Sequence, residues 1–242
     1  KGIRLAPPHD HLGEKIGAIL PTGCANADVL RELMQAANRI LEHHPLNEKL
    51  RAEGKMPANG VWFWAEGTAV KLPDFKAETG HDGVVVSAVP LCHGIAALTG
   101  LSFVCPEGAT GEKDTNYENK LAAALEILET HDFAAVHVEA PDECTHNGDL
   151  EGKLEAIGWL DTRLIRPLDA AMRERGWDYR LLFLSDHKTL TSTRGHDGDP
   201  VPYMLYDSRV DTKAGLPYTE KSGEKGPYVN SGVALMSILF EK

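Results

Sequence analysis

The sequence has no run of basic residues, no apolar segment long enough to cross a membrane and no closely spaced pair of cysteines. With a formal net charge of -11, it lacks the positive surface that nucleic acid or an anionic membrane would require. Its four cysteines form no CxxC pair, which excludes a zinc ribbon and favours a reducing compartment, so we expect a cytoplasmic protein. The phosphate-binding P-loop, the dinucleotide glycine motif and the GxSxG nucleophile motif are also missing.

The pattern of predicted elements changes near residues 70–80. Before that point, an amphipathic helix leads through a turn to a short aromatic strand at 61–64. From residue 81 onward, apolar runs typical of buried strands alternate with amphipathic helices, including a long helix over 149–175 that Pro167 should bend. This alternation predicts an α/β domain with a mostly parallel sheet, helices on both faces and function at the carboxyl ends of the strands.

Three separate segments carry aspartate and histidine at that edge of the predicted sheet. Asp142 and His146 follow the strand FAAVHVEA, Asp186 and His187 follow LLFLS, and His196 precedes PVPYMLY. Carboxylate oxygens and neutral imidazoles are the usual ligands of Zn²⁺, Mn²⁺ and related catalytic ions. Because one tetrahedral ion does not need so many ligands, we predict a two-metal site with ions roughly 4 Å apart, suited to phosphoryl chemistry.

Each of these segments also has an ordinary structural explanation. An aspartate after a strand commonly caps the next helix, and a histidine in a loop is usually solvated. His43 and His44 are better explained as a favourable helix C-terminus, and Trp62 and Trp64 as packing residues. What favours metal binding is that three distant segments place such residues at one predicted edge.

Four stretches of the chain together resemble a known family: ANGVWFWAEG, GATGEKDTNYENK, VHVEAPDECTHNGD and SDHKTLTSTRGHDGDPVPYMLYD. They resemble the archaeal-type cofactor-independent (2,3-bisphosphoglycerate-independent) phosphoglycerate mutases of the alkaline phosphatase superfamily. The resemblance runs from about APPHD to the C-terminus. It implies two divalent ions, Mn²⁺ or Zn²⁺ with Mg²⁺ as a further alternative. The ligands that it implies are Asp142, His146 and His196 for one ion and Asp186 and His187 for the other.

The resemblance also implies an alkaline-phosphatase-like α/β fold plus part of an inserted α/β domain. Residues 1–75 would be the C-terminal part of the inserted substrate-binding lid, and residues 76–242 the metal-binding domain without its N-terminal segment. His9, Asp10 and Lys120 are the candidate substrate contacts. Family members carry an upstream metal-binding aspartate and a serine that becomes phosphorylated. This chain has neither, so the catalytic nucleophile is expected in a segment absent from it.

The activity implied by the resemblance is that of an isomerase of glycolysis. Such an enzyme interconverts 3-phosphoglycerate and 2-phosphoglycerate through a phosphoserine. Its expected partner is a small phosphorylated substrate, and neither nucleic acid nor a membrane is expected to bind. By itself the chain is expected to bind metal weakly and to be inactive. Two alternatives stay open: another metal-dependent phosphatase or phosphomutase of the same superfamily, and a non-catalytic metal-binding remnant. The oligomeric state is not predicted.

Overall fold

The computed structural model describes residues 2–11, 13–210 and 215–241. The chain divides into two compact units, residues 1–70 and 71–242, and each is described by itself. Among the helices of the described ranges, none combines the length and the apolar character that crossing a lipid bilayer requires.

Within its described residues, the first unit contains two α-helices, α1 (Ala25–Glu42) and α2 (Pro45–Ala52). Asn47 is buried at their junction, and its side-chain nitrogen donates to the carbonyls of Leu41 at 2.7 Å and Ala58 at 2.6 Å. This amide therefore ties the helix corner to the segment that follows it. The strand predicted at 61–64 is wrong, because these residues have no regular secondary structure. Trp62 instead contributes a hydrogen bond within this unit, because its indole donates to the Ala6 carbonyl at 2.8 Å.

The second unit contains a parallel sheet with the strand order β2-β1-β3. Its elements, in chain order, are α3 (Phe75–Thr79), β1 (Gly83–Val86), α4 (Pro90–Leu98), β2 (Ser102–Val104), α5 (Tyr117–Ile127), β3 (Phe133–Val136), α6 (Ala140–His146), α7 (Leu150–Trp159), a π-helical turn (Leu160–Ile165), α8 (Arg166–Glu174), β4 (Arg180–Leu184), β5 (Lys188–Leu190), β6 (Gly195–Asp197), β7 (Tyr203–Asp207), α9 (Glu220–Gly223) and α10 (Gly232–Phe240). The central strand β1 is the most buried, with Val86 fully enclosed. Val85 of β1 lies opposite Phe103 on one side and Ala135 on the other. Parallel strands joined by helices confirm the α/β prediction.

The strands that follow α8 pair antiparallel. β4 and β7 form one ladder, with Leu182 opposite Leu205, and β5 and β6 form a short hairpin between them. No helix separates β4 from β7 in the chain. A chain that returns without a crossover helix lays its strands side by side in opposite directions. Within the described residues, the parallel sheet therefore has fewer strands than the sequence predicts.

The long helix predicted over 149–175 is helical throughout its length but is not a uniform α-helix. A π-helical turn, Leu160–Ile165, joins α7 to α8 directly before Pro167. Proline has no N–H to donate and its ring crowds the carbonyl four residues earlier, so the backbone widens there. The buried face continues through the turn with Leu164, Leu168 and Met172.

Candidate metal centre

Helix α6 carries the first pair of predicted ligands. Asp142 and His146 lie four residues apart and therefore project from the same side of the helix. The Asp142 Oδ2 and His146 Nε2 atoms are 3.2 Å apart. The opposite side of the helix is buried through Ala140 and Cys144, which fixes the direction of the ligand side. The prediction that this segment forms a helical turn is confirmed.

The β5–β6 hairpin brings His196 to the same place. Its Nε2 lies 3.1 Å from the His146 Nε2 and 3.5 Å from the Asp142 Oδ1. The donor atoms of these three residues all lie within 4.8 Å of one another. Two segments 50 residues apart in the chain therefore place two imidazoles and one carboxylate around a single point.

The hydrogen bonding of His146 leaves its Nε2 able to bind a cation. The His146 Nδ1 lies 2.7 Å from the backbone carbonyl oxygen of Arg194. Because a carbonyl only accepts, the proton resides on Nδ1 and the lone pair on Nε2, facing the cluster. Arg194 adopts a left-handed conformation with φ 56° where the hairpin turn enters β6. The turn thus supplies the carbonyl that orients this histidine.

Asp186 and His187 lie beside this cluster. The His187 ring lies against the His196 ring with centroids 3.8 Å apart and a tilt of 32°, and the His187 Nε2 is 3.3 Å from the Asp186 Oδ2. In the part of the chain that the structure describes, these two residues do not join a group of three or more donors. They form a pair of potential donors beside the group of three formed by Asp142, His146 and His196.

Carboxylates crowd the start of α6. Glu139, Asp142 and Glu143 form a second group whose donor atoms lie within 4.8 Å of one another. Burial, and then the neighbouring charges of Glu143 and Asp142, raise the pKa of Glu139. A divalent cation would relieve this repulsion, and the donor set suits one, so the residues present fit the implied metal. Sequence reasoning missed Glu139, although its place three residues before Asp142 at the end of the β3 segment is a usable signal.

A buried polar network lies at the carboxyl ends of β1 and β3. The Ser87 Oγ lies 3.2 Å from the His137 Nδ1, and Ser87 is fully buried. The Lys120 ammonium donates to the His137 carbonyl at 3.0 Å and to the Thr110 carbonyl at 3.4 Å. Burial lowers the pKa of Lys120 and also that of His137. These contacts hold the two strand ends together beneath the segment that leads to α6.

The predicted substrate contacts stay predictions. Lys120 is 1% exposed and its ammonium already donates to two carbonyls, so only its remaining N–H is open to another partner. The side chains of His9 and Asp10 lie outside the described residues.

An α/β unit that gathers imidazoles and carboxylates at strand and helix ends defines a protein that binds divalent metal. Comparison with known families agrees, because the model of the Metalloenzyme superfamily matches residues 13–240. The chain belongs to the Metalloenzyme superfamily.

The curated relatives are more specific. A 2,3-bisphosphoglycerate-independent phosphoglycerate mutase of Methanosarcina mazei is 44% identical over 83% of this chain and 50% of its own length. The enzyme of the same name from Methanosarcina barkeri is 39% identical over 91% of this chain and 55% of its own length. The chain therefore spans about half the length of these relatives. Their names confirm the family resemblance that the sequence motifs indicate.

Two solved structures share the fold. A protein from Pyrococcus horikoshii is 28% identical, with a TM-score of 0.65 over 89% of this chain and 57% of its own. The cofactor-independent phosphoglycerate mutase of Thermoplasma acidophilum is 21% identical, with a TM-score of 0.55 over 92% of this chain and 55% of its own. The predicted fold class is thereby confirmed.

Proposed function

We propose that this chain forms the metal-binding part of a cofactor-independent phosphoglycerate mutase, an isomerase that interconverts 3-phosphoglycerate and 2-phosphoglycerate. The observation that carries the proposal is the convergence of Asp142, His146 and His196 on one point. The names of the curated relatives supply the substrate, because the geometry by itself defines a metal site and not a phosphate ester. A cytoplasmic place in glycolysis follows from the same proposal.

The proposed centre holds two divalent ions, Mn²⁺ or Zn²⁺ with Mg²⁺ as a further alternative. Asp142, His146 and His196 would hold one ion, and Asp186 and His187 would contribute to the other. Ions bound in this way lower the pKa of an attacking hydroxyl and neutralise charge on the oxygens of a phosphoryl group in transfer.

The residues of the chain hold and orient these ligands. The Arg194 carbonyl keeps the proton of His146 on Nδ1, and the hairpin places His196 against α6. The buried Ser87, His137 and Lys120 network fixes the strand ends from which α6 starts. The reaction also needs a nucleophilic serine, which the resemblance assigns to a segment other than this chain.

The proposal assigns residues 1–75 to the C-terminal part of an inserted lid that would close over the phosphoglycerate. His9 and Asp10 are its proposed substrate contacts, and Lys120 is the proposed contact from the metal-binding domain. Excluding water from the phosphoserine is what would make the enzyme a mutase and not a phosphatase.

The metal centre is tested by titrating Mn²⁺ into the metal-free chain in a calorimeter. His196→Ala should weaken Mn²⁺ binding by more than the about 10- to 100-fold that loss of an outer hydrogen-bond partner costs, because it removes a donor atom itself. Since the His196 side chain is half-exposed, the unfolding temperature of the metal-free variant should stay at the parent value. His43→Ala, at an exposed site in the first unit, is the matched control. Equal Mn²⁺ affinity in the parent and His196→Ala would remove His196 from the site.

The activity is tested in a protein of the relatives' full length that contains this chain. With 3-phosphoglycerate as substrate, formation of 2-phosphoglycerate and release of inorganic phosphate are followed in parallel. The proposal expects isomerisation with little phosphate release, and loss of both in the His196→Ala variant. Phosphate release without isomerisation would support a phosphatase of the same superfamily instead. Metal binding with neither reaction would support the non-catalytic remnant.

A further inference from the structure

Thr189 lies between the two sets of ligands without belonging to either. It is the middle residue of β5, two residues after His187, and it pairs directly with His196 across the hairpin. Its side chain is part-buried on the face of the hairpin that meets α6. Its hydroxyl contacts one residue of each set, Asp142 and His187.

The Thr189 hydroxyl donates to the Asp142 Oδ1, the same oxygen that lies 3.5 Å from the His196 Nε2. A carboxylate only accepts, so this bond uses the one proton that the hydroxyl has. The contact restrains rotation of the carboxyl group and keeps the Asp142 Oδ2 directed at His146, 3.2 Å away.

The same hydroxyl also acts on the second pair. The Thr189 Oγ lies 3.4 Å from the His187 Nδ1, and the Lys188 carbonyl oxygen lies 3.2 Å from that nitrogen. Because the threonine proton is given to Asp142, the hydroxyl can only accept from His187. Both neighbours of Nδ1 therefore favour a proton there, which leaves the lone pair on the His187 Nε2.

The backbone of Thr189 is held as well as its side chain. The Lys153 ammonium, on α7, donates to the Thr189 carbonyl at 2.8 Å. A short connection joins α6 to α7. Asp149 lies in that connection and caps α7, because its Oδ1 accepts from the Gly152 N–H at 2.8 Å. The strand that carries Thr189 is thereby tied to the helix pair that carries Asp142.

We propose that Thr189 is a positioning residue that orients Asp142 and sets the protonated nitrogen of His187, and so couples the two ligand sets. The inference rests on the proposed metal centre. Ligands of a metal are commonly held by such outer hydrogen bonds, and their loss weakens metal binding by about 10- to 100-fold.

The test is a calorimetric titration of Mn²⁺ into the metal-free 242-residue chain and its variants. Thr189→Val keeps the shape and removes the hydroxyl, and should weaken binding by at least about 10-fold. Thr189→Ser keeps the hydroxyl and should restore affinity to within about 3-fold of the parent, a rescue that a purely structural role would not give. Thr191→Val, at an exposed position in the same hairpin, should bind as the parent does. Thr189→Ala repeats the loss of the hydroxyl without a new methyl group against Asp142.

The outcomes separate this inference from the function it rests on. Measurable Mn²⁺ binding by the parent, with the same affinity in both Thr189→Val and Thr189→Ala, would overturn the role of Thr189 alone. Weak binding by Thr189→Ser, as weak as by the valine variant, would also overturn it. Absence of Mn²⁺ binding in the parent chain would overturn the metal centre and this inference together.

Discussion

Tyr117 offers the sharpest test of how the second unit is packed. The residue is completely buried at the start of α5, and its hydroxyl has no hydrogen-bond partner among the residues that the structure describes. A buried polar group without a partner costs about 1–3 kcal/mol. Tyr117→Phe keeps the ring and removes that group, so the free energy of unfolding of this unit should rise by about 1 kcal/mol.

The ring of Tyr117, unlike its hydroxyl, makes favourable contacts. The Arg163 guanidinium lies 4.7 Å from the ring centroid, and the Trp159 ring meets it edge-on at 6.1 Å. Tyr117→Ala removes these contacts and leaves a cavity, which for an aromatic residue costs about 3–5 kcal/mol. Two substitutions at one position should therefore change stability in opposite directions.

The hydroxyl also has a signature at high pH. Burial raises the pKa of Tyr117 to about 12 from the ordinary value of 10.0. Because the pKa in the folded state lies above that in the unfolded state, ionisation of this hydroxyl does not affect the stability of the parent below pH 10 but lowers it as the pH rises towards 12. The advantage of Tyr117→Phe over the parent should therefore widen between pH 10 and 12.

The measurement is urea denaturation followed by tryptophan fluorescence and circular dichroism, at neutral pH and at steps above pH 10. Tyr228→Phe is the matched control, since Tyr228 is 76% exposed and the change should be silent. A Tyr117→Phe variant less stable than the parent by 1 kcal/mol or more would refute the reasoning, because it would mean that the hydroxyl is satisfied in the native state.

Two further predictions concern the hairpin and the β4–β7 ladder. Arg194 has φ 56°, a conformation that a β-branched residue adopts only at an energetic penalty. Arg194→Gly should therefore be more stable than Arg194→Val by at least about 1 kcal/mol in urea denaturation. The reverse order of stability would contradict the left-handed geometry. Arg209 and Arg180 hold the pKa of Asp207 well below its ordinary value of 3.8, so the stabilisation is present above that value and is lost as the pH falls below it, towards the lower pKa of the folded state. Thermal unfolding between about pH 2 and 6 should show a flatter acid limb for Asp207→Asn, and equal slopes would count against the pairing.

The parts of the site that were predictable are those set by local spacing. Asp142 and His146 are four residues apart after a strand, and a helical turn there necessarily puts both on one side. The apolar runs of β1 and β3, separated by the helical pattern of α5, were enough to predict parallel strands. Neither inference needed knowledge of a distant residue.

The parts that were not predictable depend on pairings across the chain. The hydrogen bond of Thr189 to Asp142 requires the register of the hairpin, in which Thr189 lies opposite His196, and no local pattern specifies that register. The burial of Lys120 depends in the same way on where the His137 carbonyl lies. The aromatic residues at 61–64 have strand propensity but no partner strand in the described structure, and propensity alone does not form a ladder.

The β5–β6 hairpin has only three residues in each strand, and so small a ribbon is barely stable unless something else holds its two sides together. An ion held at the proposed centre would contact both this hairpin and α6, and its binding energy would then stabilise the hairpin. Chelation should therefore speed amide hydrogen exchange at Thr189 and His196 while leaving β1 protected. The metal-bound and metal-free forms would then share one fold and differ mainly in how often the β5–β6 hairpin opens.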